Sequence, residues 1–382
     1  MKIPLTRPCW GKAEEKAAVA AIRTTSGAGD GPFSRKLTVG LQKLTGSRFV
    51  LPVTSCTHGL ELVMMALKLA GRLGSGDEVI VPSFTMTSTA NSVLLAGARP
   101  VFADIEKNYF GLDAADVKAR ITRKTRGVIF VPYAGMAGEI AEIQKICQTH
   151  GLFLVEDAAH AIGASYRGRA LGTFGDAGVY SFHGTKNISC GEGGAVMTDN
   201  QKLAEMMEIY RVNGTNRKAF LAGIVDKYSW IGPGSSFLLS DILAAITMSQ
   251  LKQITKINIK RQQIANFYNK GLQKYQQCIK LPEVPPDSLP NWHIYAILFK
   301  EISRRNIFLR KMRQKGIDVA YHYVPLHLSG MGRKLKGSAM TAEGLPVTEY
   351  VWERLIRLPI YPGLTGKQLL YITKSARDVL SA

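Results

Sequence analysis

Lys186 is the residue around which chemistry can be built. It follows the apolar run Val179-Tyr180-Ser181-Phe182 and His183, and it precedes the glycine-rich Gly191-Glu192-Gly193-Gly194. A second apolar run, Ala195 to Thr198, comes next. A lysine at a strand end, between small polar residues, can be desolvated and kept partly neutral, the state an amine needs to form a Schiff base. A solvated loop lysine is the plainer alternative, so its companions decide the matter. One is Asp157, where the strand-like Leu154-Val155-Glu156 ends. Doubly wound sheets bind ligands beyond the carboxyl ends of their strands. A carboxylate there can face a positively charged ring nitrogen; taken alone, it equally suits a helix cap. Another is Thr54-Ser55-Cys56-Thr57-His58-Gly59, which leads into an apolar helical stretch. Amides at a helix start, with hydroxyls beside them, make an anion site. An ordinary N-cap has the same sequence. Ser181 adds a hydroxyl five residues before Lys186. A further polar turn, Gly234-Ser235-Ser236, enters a helical stretch and by itself reads as a helix start.

The combination is more specific than its parts. An anion turn comes early, a strand-end aspartate sits mid-chain, and a lysine follows 29 residues after it. Pyridoxal phosphate needs these three groups: an amine for its aldehyde, an anion for its pyridine nitrogen and a cradle for its phosphate.

These groups need a sheet to hold them. Strand candidates are 78–81, 99–102, 127–131, 153–156, 179–182 and 194–198, with helical stretches such as 59–69 and 140–149 between them. Most of these strand runs are nearly continuous in apolar residues, which argues for a sheet covered on both faces and a largely parallel α/β architecture. Residues 1–30 read as an arm, broken by Pro4, Pro8 and Gly27-Ala28-Gly29-Asp30-Gly31-Pro32. A long helical segment over 240–272 bridges to a smaller α+β unit. The expected division is 1–250 for the arm and the large α/β domain, and 251–382 for the bridging helix and the small domain.

The bulk properties exclude several classes. With 46% hydrophobic and 20% charged residues among 382, the chain has the balance of a globular enzyme. No apolar run is long enough to cross a bilayer, and the first residues lack a signal-peptide stretch. Five scattered cysteines without a CxxC pair suggest neither zinc nor disulfides, and a reducing cytoplasm fits. The net charge of +20 favours anionic partners. Lysines and arginines are dispersed, with no nucleic-acid recognition motif, so nucleic acid is not the expected partner.

Longer strings carry a resemblance. Gly76-Asp77-Glu78-Val79-Ile80-Val81-Pro82-Ser83, Glu156-Asp157-Ala158-Ala159, Gly172-Thr173-Phe174-Gly175-Asp176, Ser181-Phe182-His183 with Lys186-Asn187, and Gly191-Glu192-Gly193-Gly194 follow one another in order. Tyr323-Val324-Pro325-Leu326-His327 and Leu358-Pro359-Ile360-Tyr361 come later. The chain resembles, over nearly its whole length, the DegT/DnrJ/EryC1/StrS sugar aminotransferases, which are fold type I pyridoxal phosphate enzymes. Asn213-Gly214-Thr215-Asn216-Arg217, Val225-Asp226-Lys227-Tyr228-Ser229-Trp230 and Gly234-Ser235-Ser236 are similar to the dTDP-4-amino-4,6-dideoxygalactose transaminases among them.

The resemblance implies roles. Lys186 would carry the cofactor and move the proton, and Asp157 would pair with the ring nitrogen. His160 would stand where the family often has glutamine beside the ring oxygen. Cys56, Thr57 and Ser181 would hold the phosphate. Ser236 would reach the phosphate of a neighbouring subunit, which makes a homodimer with shared sites the expected assembly. Arg217, Lys227 and His327 are candidate sugar contacts, each of which could instead be a surface charge or a packed histidine. Met86 departs from the family by standing where an aromatic residue usually covers the ring. The implied reaction moves an amino group from L-glutamate to a nucleotide-linked 4-keto-6-deoxy sugar; a 3-keto sugar, or one linked to UDP or GDP, is the alternative. Lys186 argues against the branch of the family that carries histidine in its place and dehydrates sugars. A non-enzymatic regulator on the same fold is the remaining contrast.

Overall fold

The computed structural model describes residues 2–335 and 344–381. Its centre is a seven-stranded sheet in the order Phe49–Val53, Gly194–Thr198, Ala177–Ser181, Phe153–Asp157, Thr125–Phe130, Glu78–Pro82, Arg99–Ala103. Pairing is parallel from Ala177–Ser181 to Arg99–Ala103, while Gly194–Thr198 runs antiparallel to both of its neighbours. The six strands expected from apolar runs all form, with ends displaced by at most two residues. Phe49–Val53 was not expected. It contains Pro52, which a sheet tolerates here because the strand lies at the edge.

Continuous apolar runs have two faces to fill. Val79, Val81, Ile129, Val155 and Val179 pack on one side of the sheet, and Ile80, Val128, Leu154 and Tyr180 on the other. The helix Cys56–Leu69 covers the first side through Leu60, Val63 and Leu67. Gly59 lets it approach, since a Cβ there would sit 2.5 Å from Val179 Cγ1.

Two expectations change in detail. Between the breakers of the N-terminal arm lies a helix, Lys12–Thr24, packed on Asp241–Leu251. Its buried Glu14 accepts hydrogen bonds from the Gly11 amide at 2.8 Å and from Ser249 Oγ at 2.9 Å, a distant contact that local sequence does not show. The long bridging segment is two helices, Asp241–Leu251 and Ile254–Leu272. The chain turns at Lys252-Gln253 without a proline or glycine to announce it.

Beyond residue 272 a small antiparallel sheet orders Ile279–Lys280, Tyr295–Phe299 and Leu355–Leu358, backed by a core containing Phe299, Phe308, Ile356 and Ile372. It is tied to the large sheet by Asp104, whose carboxylate accepts from the amides of Val347 (3.0 Å) and Thr348 (2.8 Å) and from Thr348 Oγ1 (2.7 Å). No helix among the described residues is long and apolar enough to cross a membrane.

Glu156 fixes the sheet just before Asp157. Fully buried, it accepts from the amides of Gly172 (2.7 Å), Phe174 (2.5 Å) and Gly175 (3.1 Å). Burial outweighs these bonds and pushes its carboxyl from the ordinary 4.5 up to about 7. Between those two values the folded protein keeps a proton that the unfolded chain has lost, so stability falls as pH rises through this window. Glu156→Gln sets an NH2 group against a donor and is expected to cost about 1–3 kcal/mol at neutral pH. Urea unfolding across the window should also show that this component of the pH dependence has gone.

Candidate functional site

A cavity of about 550 Å³ opens at the carboxyl ends of the parallel strands and is closed from the other side by the small sheet and the loop before it. Its wall contains Lys186, Asp157, His160 and Ser181. Cys56, Thr57 and Met86 line it too. Asp157 and Ser181 are the last residues of adjacent strands, in a register that sets Asp157 opposite Val179. The turn that follows Ser181 is laced internally. His183 N donates to Ser181 Oγ (3.3 Å), Lys186 N to the His183 carbonyl (2.9 Å) and Gly184 N to the Gly191 carbonyl (2.8 Å). That lacing brings the half-buried Lys186 back over the strand ends.

Electrostatics follow from this burial. Withdrawal from water lowers the Lys186 ammonium below the usual lysine range; Arg357 adds to the effect, while Asp157 opposes it. Asp157 is buried and its carboxyl is raised by desolvation. Thr89 Oγ1 donates to Asp157 Oδ2 at 2.7 Å, and the Ala159 amide (3.4 Å) and the Cys56 thiol (3.7 Å) donate to Oδ1. No ion pair neutralises Asp157 among the described residues. An oriented, buried carboxylate without a cation is suited to a positively charged ring nitrogen. The Cys56 thiol is raised well above its usual range by burial, so it stays protonated.

His160 is held neutral by burial and by the charge of Lys186. Its Nδ1 accepts from the Ala134 amide at 3.4 Å, which leaves Nε2–H to donate to Tyr323 Oη at 3.3 Å. At the other end of the wall the helix Cys56–Leu69 begins. Ser55 Oγ caps the His58 amide at 3.0 Å, and the amides of Cys56 and Thr57 have no acceptor among the described residues. Those amides with the Thr57 and Ser181 hydroxyls suit a phosphate. The residues present therefore fit all three parts of pyridoxal phosphate.

Other candidates lie outside this wall. Arg217 starts the short helix Arg217–Leu221, while Lys227 and Ser236 are exposed on the same projecting 213–236 segment. His327 is buried, with Nδ1 at 2.6 Å from Ser83 Oγ and Nε2 at 3.1 Å from Glu349 Oε1, the position of a packed histidine. Sequence reasoning did not single out Thr89, His293 or Arg357. Thr89 is on the helix Thr87–Leu95, which follows a strand-end loop, and Arg357 directly precedes Leu358-Pro359. His293 lies in an irregular stretch and has no local signal. Its Nδ1 faces Asn187 Oδ1 at 3.0 Å, beside the lysine.

Comparison with known proteins agrees with this geometry. The model of the DegT/DnrJ/EryC1/StrS aminotransferase family matches residues 9–377. The Uncharacterized protein MJ1066 of Methanocaldococcus jannaschii is 34% identical, over 99% of this chain and 98% of its own. DesV of S. venezuelae is known in complex with a ketimine intermediate. DesV is 31% identical with a TM-score of 0.87, over 97% of this chain and 95% of its own. The putative sugar aminotransferase Spr1654 of Streptococcus pneumoniae, in its PLP-form, is 25% identical with a TM-score of 0.90, over 100% of this chain and 99% of its own. The same protein is also known in a PMP-form. The fold is that of the fold type I aminotransferases, and the cofactor is pyridoxal phosphate.

Proposed function

The chain belongs to the DegT/DnrJ/EryC1/StrS aminotransferase family, and on that footing we propose that it transfers the amino group of L-glutamate to a nucleotide-linked 4-keto-6-deoxy sugar. The acceptor is dTDP-4-keto-6-deoxyglucose and the product dTDP-4-amino-4,6-dideoxygalactose. One observation carries the reading: a half-buried lysine and a buried, uncompensated aspartate share one cavity at adjacent strand ends. When bound, pyridoxal phosphate supplies an aldehyde for the amino group and a ring that stores the electron pair left by the departing proton.

The chain's own residues do the rest. Lys186, its ammonium destabilised by burial, has a free amine to take the proton from the donor's α-carbon. The same amine later returns a proton to sugar C4 from one face, which sets the new stereocentre. Asp157, oriented by Thr89, holds the proton at the ring nitrogen. His160 stays neutral and so adds no charge beside the ring oxygen. Met86, exposed in the cavity wall, would cover the ring through its thioether. Donor and acceptor use the site in turn, so ping-pong kinetics are expected.

The amides of Cys56 and Thr57 with Ser181 bind the phosphate, and Gly194 permits that arrangement. A Cβ on Gly194 would stand 2.7 Å from both the Cys56 amide nitrogen and the Ser55 carbonyl carbon. Gly194→Ala therefore has to displace the turn. It should raise the cofactor dissociation constant by about tenfold or more, the loss of one charge-assisted hydrogen bond. Equilibrium dialysis of the cofactor measures this.

The assembly is a homodimer in which Ser236 reaches the neighbour's phosphate and Arg217 and Lys227 serve the sugar. Exposed Leu221, Ile224 and Trp230, at 71%, 77% and 79%, support self-association of that segment. His327, enclosed between Ser83 and Glu349, is not assigned to the sugar. The deciding experiment incubates the holoenzyme and glutamate with dTDP-, UDP- and GDP-linked 3-keto and 4-keto sugars, and assigns the amino position by NMR. Amination at C4 of the dTDP sugar is expected. Amination of a 3-keto sugar alone, or of none, contradicts the proposal.

A further inference from the structure

Among the described residues, Arg357 is the one guanidinium in the cavity wall. It enters from the strand Leu355–Leu358, paired with Ala296 and bridged to Ala320. The other three residues of that strand are buried and apolar. Arginines buried elsewhere in the protein are satisfied differently. Arg211 is paired with Asp30 and Glu208, each at 2.9 Å. Arg261 Nη1 donates to the carbonyls of Trp292, His293 and Ile360, all at 3.2 Å. Arg357 has a single acceptor among the described residues, the Tyr321 carbonyl, at 3.2 Å from Nη2. Its Nε is buried with no acceptor, and no carboxylate forms an ion pair with it among the described residues.

The surroundings sharpen this. Burial weakens the Arg357 cation. Its charge is felt by Lys186, His160 and His322, and the two histidines are held neutral. Among the described residues the wall therefore carries one lysine and one arginine, Lys186 and Arg357. Arg357 stands on the strand Leu355–Leu358, a different element from the helix start at Cys56. A desolvated guanidinium facing another cation is unfavourable until an anion arrives. Its planar fork fits a carboxylate, which can take two parallel N–H bonds.

We propose that Arg357 is a substrate-binding residue that holds a carboxylate carried by one of the two substrates. The proposal rests on the transaminase reading. With a 6-deoxy acceptor the carboxylate belongs to the amino-acid donor; a hexuronate-type acceptor, oxidised at C6, is the other source of the same chemistry.

The test compares wild-type holoenzyme with Arg357→Gln and Arg357→Lys, each checked for cofactor absorbance and melting temperature. The donor half-reaction is followed by cofactor absorbance with L-glutamate and with glutamate diamide, which has no carboxylate. The acceptor half-reaction uses a neutral 6-deoxy keto sugar and a keto sugar bearing a C6 carboxylate. Arg357→Gln should raise half-saturation about 10- to 100-fold for the carboxylate substrate of one half-reaction, with the neutral analogue unchanged and Arg357→Lys in between. A loss confined to glutamate assigns the donor as the source, and one confined to the acidic sugar assigns the acceptor. Equal kinetics in variant and wild type, or equal losses with charged and neutral substrates, overturn the proposal. Glutarate binding by calorimetry separates it from the transaminase reading. Should wild-type protein bind cofactor yet transfer nothing, glutarate bound at least tenfold more weakly by Arg357→Gln still supports the carboxylate site, and equal binding refutes it.

Discussion

Lys186→Ala is expected to lower amino transfer by roughly 10⁴-fold or more, because one amine supplies both the covalent link and the proton transfer. The visible absorption of the lysine-linked cofactor should vanish with it. Stability should not follow. The Lys186 amine has no hydrogen-bond partner among the described residues, and Arg357 disfavours its charge. The apoprotein melting curve should therefore stay within about 1 kcal/mol of wild type. A small primary amine added to the medium should restore part of the rate by replacing the missing base. The pH profile carries a further sign. Burial lowers the Lys186 ammonium, so its amine is free at lower pH than an ordinary lysine's, and the acid limb of the rate should move down accordingly.

Asp157→Asn should rank second. Asparagine keeps the shape and the Thr89 contact but cannot hold a proton on the ring nitrogen. Breaking such a buried pair costs about 3–5 kcal/mol, or roughly 10²- to 10⁴-fold in rate. The loss should appear in exchange of the donor's α-proton with solvent deuterium, the step that needs the ring as electron sink. Stability should respond in opposite directions in the two forms. In apoprotein, Asp157 is a buried carboxylate whose raised pKa marks an unfavourable charge, so asparagine should raise the melting temperature at neutral pH. In holoprotein the same change removes a compensating anion and should lower it. A parallel shift in both forms would speak against a ring-nitrogen partner.

The part of this protein that can be read from its sequence is the part built from contiguous runs. Phe153–Asp157 and Ala177–Ser181 are buried throughout because both faces of the sheet are covered, and their polar terminal residues mark the ligand edge. The Ser55-Cys56-Thr57 turn announces itself by leading into an apolar helix. What is not legible arrives from far along the chain. Arg357 and His293 come from the small sheet and its approach, and only the folded chain sets them beside Lys186. The N-terminal helix is hidden for the same reason, since Glu14 is stabilised by Ser249 from a distant helix. His327 shows the converse. Its motif suggests a ligand contact, but the fold encloses the ring between Ser83 and Glu349.

The central claim is that the Lys186 amine is the group joined to the cofactor aldehyde. Reduction of holoprotein with borohydride fixes that linkage, and peptide mapping by mass spectrometry then locates it. A phosphopyridoxyl group on Lys186, absent from Lys186→Ala, is the result expected. The group on a different lysine, or on none in a protein fully occupied by cofactor, would contradict the account.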